Sequence, residues 1–117
     1  MPKYAFIGGY KAETWANFIA NPADRVAAVQ RAAEKVGGKV ENLYFTFGED
    51  DFLLIGQAPD DNAAAAIALG AASSGALRSL RTIKLISGND MQSILAKAKD
   101  VAGAYAPPGA RQPVGVN

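Results

Sequence analysis

Lys39-Val40-Glu41-Asn42-Leu43-Tyr44-Phe45-Thr46-Phe47, then Gly48-Glu49-Asp50, then Asp51-Phe52-Leu53-Leu54-Ile55-Gly56-Gln57 is the stretch on which the fold turns. The first run is rich in aromatic and β-branched residues, and the last is short and apolar, so both read as strands. Gly48-Glu49-Asp50 reads as the hairpin connection between them. Both parities of each strand are apolar: Phe52 and Leu54 against Leu53 and Ile55, and Leu43, Phe45 and Phe47 against Val40 and Tyr44. A sheet covered on one face alternates apolar and polar residues. This one does not. Both faces therefore need a cover, and the second is expected to be the same face of another copy of the chain.

Upstream, Lys3 to Gly9 reads as a strand that Gly8-Gly9 ends. Trp15, Phe18 and Ile19 then stand at helical spacing and predict a turn or two anchored against the core. Asn21-Pro22-Ala23-Asp24 predicts a helix start, with Asn21 as cap and Pro22 at the first helical position. Val26, Val29, Ala33 and Val36 continue it until Gly37-Gly38. Downstream, Pro59-Asp60-Asp61-Asn62 opens an alanine-rich helix to about Ser73, and Gly75 turns the chain into a strand from Leu77 to Ile86. Ser87 with Asp90 predicts a capped helix carrying Met91, Ile94, Leu95, Ala98, Val101 and Ala102 on one stripe. The order is βαββαβ plus a C-terminal helix. That is an α+β, ferredoxin-like plan, with two helices on one face of a four-stranded antiparallel sheet. Residues 1–105 are expected to form a single domain, and 106–117, beginning with Ala106-Pro107-Pro108-Gly109, a tail.

Composition narrows the function. The 117 residues include no cysteine and no histidine, and the formal net charge is +1. Disulfides, thiolate nucleophiles, iron–sulfur clusters and histidine-based triads or metal sites are excluded. The near-neutral balance argues against nucleic acid as a partner. RNA-recognition motifs share this element order, but Asp51–Gln57 lacks their basic-Gly-aromatic signature. No apolar run has the length of a secretory h-region or a membrane span, so a cytoplasmic location off the membrane is expected.

Several stretches resemble the GYD-domain family of small bacterial proteins: Pro2-Lys3-Tyr4 through Gly8-Gly9-Tyr10, Gly37-Gly38-Lys39 leading to Tyr44-Phe45-Thr46-Phe47-Gly48-Glu49, and Tyr105 with Pro107-Pro108-Gly109. Of the naming signature, Gly48 and Asp51 match, and Asp50 stands where the signature has tyrosine. The resemblance implies a dimeric α+β barrel, the superfamily of muconolactone isomerases and cofactor-free monooxygenases.

Three groups of residues invite a functional reading. Glu49-Asp50-Asp51 is the densest carboxylate cluster, readable as a hard-cation site or general base, and more economically as a solvated hairpin tip. Arg78 and Arg81, three apart on one strand, are expected on opposite faces; one could orient a carboxylate or enolate, or sit in an interface ion pair. Tyr4, Phe6, Trp15, Tyr44 and Phe52, with those arginines, form the candidate pocket for a small, partly apolar ligand, or else core and interface. No cofactor and no metal is expected, and no catalytic residue stands out.

Three classes of function remain open: a homodimeric or larger ligand-binding or interaction module, a cofactor-independent isomerase- or monooxygenase-like enzyme acting on an aromatic or polyketide-like substrate, and a purely structural oligomer. Millimolar calcium or magnesium is expected to move the melting temperature little, since strand geometry scatters three consecutive acids. A shift of several degrees that Asp50→Asn abolishes would instead make the hairpin a cation site.

Overall fold

In a computed structural model, which describes residues 1–110, the chain opens with β1 (Lys3–Tyr10) and α1 (Ala12–Ala20). It continues through α2 (Arg25–Glu34), β2 (Lys39–Phe45), β3 (Phe52–Gln57), α3 (Asp61–Ser73), β4 (Leu77–Leu85) and α4 (Gly88–Ala104). Two compact units divide at Leu85 and Ile86. The first holds all four strands in the order β2-β3-β1-β4, every neighbouring pair antiparallel. This is the ferredoxin-like arrangement expected. In the second unit α4 carries an exposed stripe of Met91, Ile94, Leu95 and Val101. Of the expected tail, Pro107 and Ala110 close a turn, and residues 111–117 lie outside the described residues.

Register sorts the side chains into rows. Val40–Gly56–Tyr4–Lys84, Leu43–Leu54–Phe6–Thr82 and Phe45–Phe52–Gly8–Leu80 share one face. Onto it pack α2 through Val29 and α3 through Ala63, Ala64, Ile67 and Ala68, around a core of Tyr4, Phe6 and Leu54. Tyr44–Leu53–Ile7–Arg81 and Asn42–Ile55–Ala5–Ile83 share the opposite face. There Leu53, Ile55 and Ile7 are half-buried, and Tyr44 and Ile83 are exposed. The two-faced apolar pattern is thus real in β3, whereas in β2 a bulge between Val40 and Asn42 turns Val40 to the face of Leu43 and Phe45 instead of that of Tyr44; α2 and α3 cover only one face.

Local chemistry accounts for most element ends. Asp24 caps α2 by accepting the Ala27 N–H at 3.1 Å, Asp60 caps α3 through the Ala63 N–H, and Ser87 caps α4 through the Asp90 N–H. The turns after α2 and α3 pass through Gly37 and Gly75, both with positive φ.

Four expectations are corrected. Asn21 does not start α2; its N–H closes the end of α1 on the Asn17 carbonyl, which moves the start of α2 to Arg25 behind the Asp24 cap. Ile19 does not anchor α1, since it is 75% exposed while Trp15 and Phe18 turn inward. Phe47 leaves the strand, because the Thr46 N–H bonds the Asp51 carbonyl and closes the ladder before it. Gly8-Gly9 does not end β1, which runs on to Tyr10. A Cβ on Gly8 would overlap the Ser79 carbonyl and come within 2.9 Å of the Phe52 ring. These glycines serve close packing within a central strand.

Leu54, 7% exposed at the centre of the covered face, is expected to cost about 2 to 5 kcal/mol when changed to alanine, read by urea titration. A loss under about 0.5 kcal/mol would place the core elsewhere.

Candidate functional site

The alanines of α2 and α3 are too small to fill the space above the sheet. Ala64, Ile67, Ala68 and Ala71 recur at helical spacing along α3, and Val29 and Ala33 along α2. One bulky residue in the α3 seam leaves room. Between these helices and the covered sheet face lies a cavity of about 100 Å³. Its floor includes Phe6, Leu43, Phe52, Leu54 and Leu80, and its roof Val29, Ala33, Ile67, Ala68 and Ala71. Tyr10, Arg25 and Leu77 line it as well, as do Lys39 and Gln57. Among the described residues, its lining contains no carboxylate and no Ser or Thr hydroxyl.

A second cluster forms where β1 meets α1 and the hairpin. The Asp51 carboxylate accepts the Tyr10 N–H at 2.8 Å, the Trp15 indole N–H at 3.2 Å and the Arg78 guanidinium at 3.5 Å. Arg78 also donates to the Glu49 carbonyl at 2.6 Å. The Tyr10 N–H, followed by Trp15 and Arg78, holds the Asp51 carboxyl below its ordinary value of 3.8, against a smaller opposing effect of burial. Around it Trp15 meets Tyr10 edge-on at 5.2 Å and stacks on Phe18, which approaches Phe45 at 6.0 Å. One carboxylate thus ties a helix, a strand end and a hairpin together.

The covered face has a third polar group. The Tyr4 hydroxyl donates to Asp61 Oδ1 at 2.5 Å, and Lys84 Nζ lies 3.1 Å from the same oxygen. That hydrogen bond, with burial and the neighbouring carboxylates, pushes the Tyr4 phenol up to about 12. The same bond and Lys84 hold Asp61 down. The phenol therefore stays a neutral donor at pH 7, joining the start of α3 to β1.

The residues singled out from sequence do not gather in one place. Phe6 and Phe52 line the cavity, while Tyr4 sits beside it in the core. Tyr44 and Arg81 share a row on the open face. There Arg81 pairs with Asp50 at 3.4 Å beside a shallow basin of about 260 Å³ lined by Ile7, Leu53 and Phe47. Trp15 belongs to the Asp51 cluster. Strand alternation does not separate the two guanidinium groups. The β1–β4 register shifts between Gly9 and Tyr10, and the Arg78 head lies where a Gly9 Cβ would be, on the side of β1 that Ile7 shares. The signature residues also diverge: Gly48 is in the loop with φ 112°, Asp50 faces Arg81, and Asp51 faces Tyr10. Sequence reasoning passed over Arg25, Ile67, Ala68 and Ala71. The signal available was the run of small residues at the sheet-facing spacing of α3.

The lowered pKa of Asp51 sets an expected pH dependence. A carboxyl whose folded value lies below its unfolded one contributes stability above about pH 4, lost as pH falls through the folded value. Asp51→Asn is expected to lower stability at pH 7 and to flatten the fall between about pH 5 and pH 2. Denaturant titrations of both proteins across that range measure it; parallel curves would show that Asp51 carries no such linkage.

Comparison with known proteins agrees with the resemblance drawn from the sequence. No curated protein matches the chain significantly. The GYD-domain family model matches residues 4–95, from β1 into α4 and most of the 117-residue length; the chain belongs to the GYD-domain family.

Proposed function

We propose that this chain is a small-ligand-binding module that works as a homodimer, joined through the open face of its sheet into an α+β barrel. The cavity between the sheet and the two alanine-rich helices carries the reading. A volume of about 100 Å³ walled mostly by apolar side chains accepts an apolar group of roughly the size of benzene. Binding is favoured over catalysis because the lining supplies no carboxylate and no Ser or Thr hydroxyl, and its polar side chains, Tyr10, Arg25, Lys39 and Gln57, are few against apolar walls, a pattern that orients a ligand. The dimer rests on the open face. Ile7, Leu53, Ile55 and Ile83 lie there side by side with Tyr44, an apolar surface that monomers rarely leave in water. A second copy presenting the same face would bury both in an isologous contact.

Sedimentation velocity of the full chain at micromolar concentration is expected to show a dimer. Ile83→Glu, at a half-exposed position of the single copy, should yield folded monomers by circular dichroism and sedimentation. A wild-type monomer would overturn the assembly. For the cavity, hexanol is expected to bind the wild-type chain by calorimetry, and Ala68→Leu to fill the space and abolish that binding. Hexanol without effect on the wild type would overturn the binding reading.

A further inference from the structure

The cavity is apolar along its length and charged only with cations. Arg25 and Lys39 are its ionised lining groups, and no lining acid balances them. They sit differently. Lys39 opens β2, is exposed, and lies in the field of Glu41, whose carboxyl it helps to hold down. Arg25 is the first residue of α2 and half-buried. Among the described residues no carboxylate lies within 4.0 Å of its guanidinium; the ion pairs belong to Lys3, Arg78, Arg81 and Lys84. Its neighbour Asp24 is turned to the Ala27 N–H as the helix cap.

Local electrostatics give Arg25 no reason to be there. A cation in the first turn of a helix opposes the positive end of the helix dipole. An anion beside it would answer both the guanidinium and the α2 terminus, and a planar guanidinium binds a carboxylate in a paired, directional way.

We propose that the cavity takes a small monocarboxylic acid, its apolar body of about six carbons between sheet and helices and its carboxylate held by Arg25. This rests on the reading of the cavity as a binding site and adds the chemical class of the ligand. The acid's alkyl or aryl body meets Leu43, Leu54, Ile67 and Leu80. The binding is reversible and involves no bond change.

Three probes that share one body separate the possibilities: hexanoate, hexanol and hexylammonium, titrated calorimetrically into the full-length chain at pH 7. Hexanoate is expected to bind roughly tenfold more tightly than hexanol, the size of one charge-assisted contact, and hexylammonium more weakly than either. Arg25→Gln should bring hexanoate down to the level of hexanol and leave hexanol unchanged. Arg25→Lys should restore part of the preference, and Lys39→Gln should leave it intact. Equal binding of acid and alcohol, or a preference that survives Arg25→Gln or disappears in Lys39→Gln, overturns the assignment and leaves the cavity reading standing. Failure of hexanol itself removes both.

Discussion

The first unit of this protein depends on the close packing of a central strand. β1 is hydrogen-bonded on both sides, to β3 and to β4, and near its end two consecutive glycines let neighbouring atoms approach its backbone. At Gly8 the space of a side chain is taken by the Ser79 carbonyl and the Phe52 ring; at Gly9 it is taken by the Arg78 guanidinium. Any Cβ there would push β4 or the hairpin away. Because Arg78 can lie over Gly9, it reaches the Glu49 carbonyl and Asp51. Asp51, in turn, receives the Tyr10 N–H and the Trp15 indole. Sheet register, hairpin position and the docking of α1 are consequences of one tight backbone approach.

The helices above the sheet follow a different logic. A core packed to normal density leaves few voids larger than a water molecule. Here the sheet floor is large, with Phe6, Phe52, Leu43 and Leu54, while α3 answers with Ala64, Ala68 and Ala71 around a single Ile67. Alanine favours the helix but contributes little volume, so helix formation and core filling pull apart. The cavity is the outcome. Its neighbours compensate by polar anchoring of the helices: Tyr4 holds Asp61 at the start of α3, and the Gln30 amide oxygen, midway along α2, accepts the Val40 N–H.

Much of this fold was legible in the residues themselves. The short apolar runs Phe52–Ile55 and Leu43–Phe45, the glycines at 37 and 75, and the caps at Asp60 and Ser87 are local signals, each acting within a few residues. They determined the strands, the helices, their order and the apolar character of both sheet faces. The absence of histidine and cysteine likewise settled whole classes of chemistry from composition alone. The errors lay where two local signals competed. Asn21 and Asp24 both suit a helix start, and the choice went to the one whose oxygen reaches a free N–H. Gly8-Gly9 resembles a stop until Ser79 and Arg78 are seen to occupy its space.

The sites were less legible, for a physical reason. Tyr4, Phe6, Trp15, Tyr44, Phe52, Arg78 and Arg81 are the right residue types for a pocket, but a pocket is an unfilled volume, and volume is a relation between elements. Register places Tyr44 and Arg81 on one face and Phe6 and Phe52 on the other. The spacing of α3 over that second face leaves the cavity, and α2 brings Arg25 to its wall. By itself the sequence determined element type, order and the two-sided apolar sheet, because these depend on periodicity and on bonds between near neighbours. Only the tertiary structure decided where Asp51 and Arg78 meet, which arginine stands at the cavity and how much space remains, because those follow from backbones far apart in the chain approaching to a few ångströms.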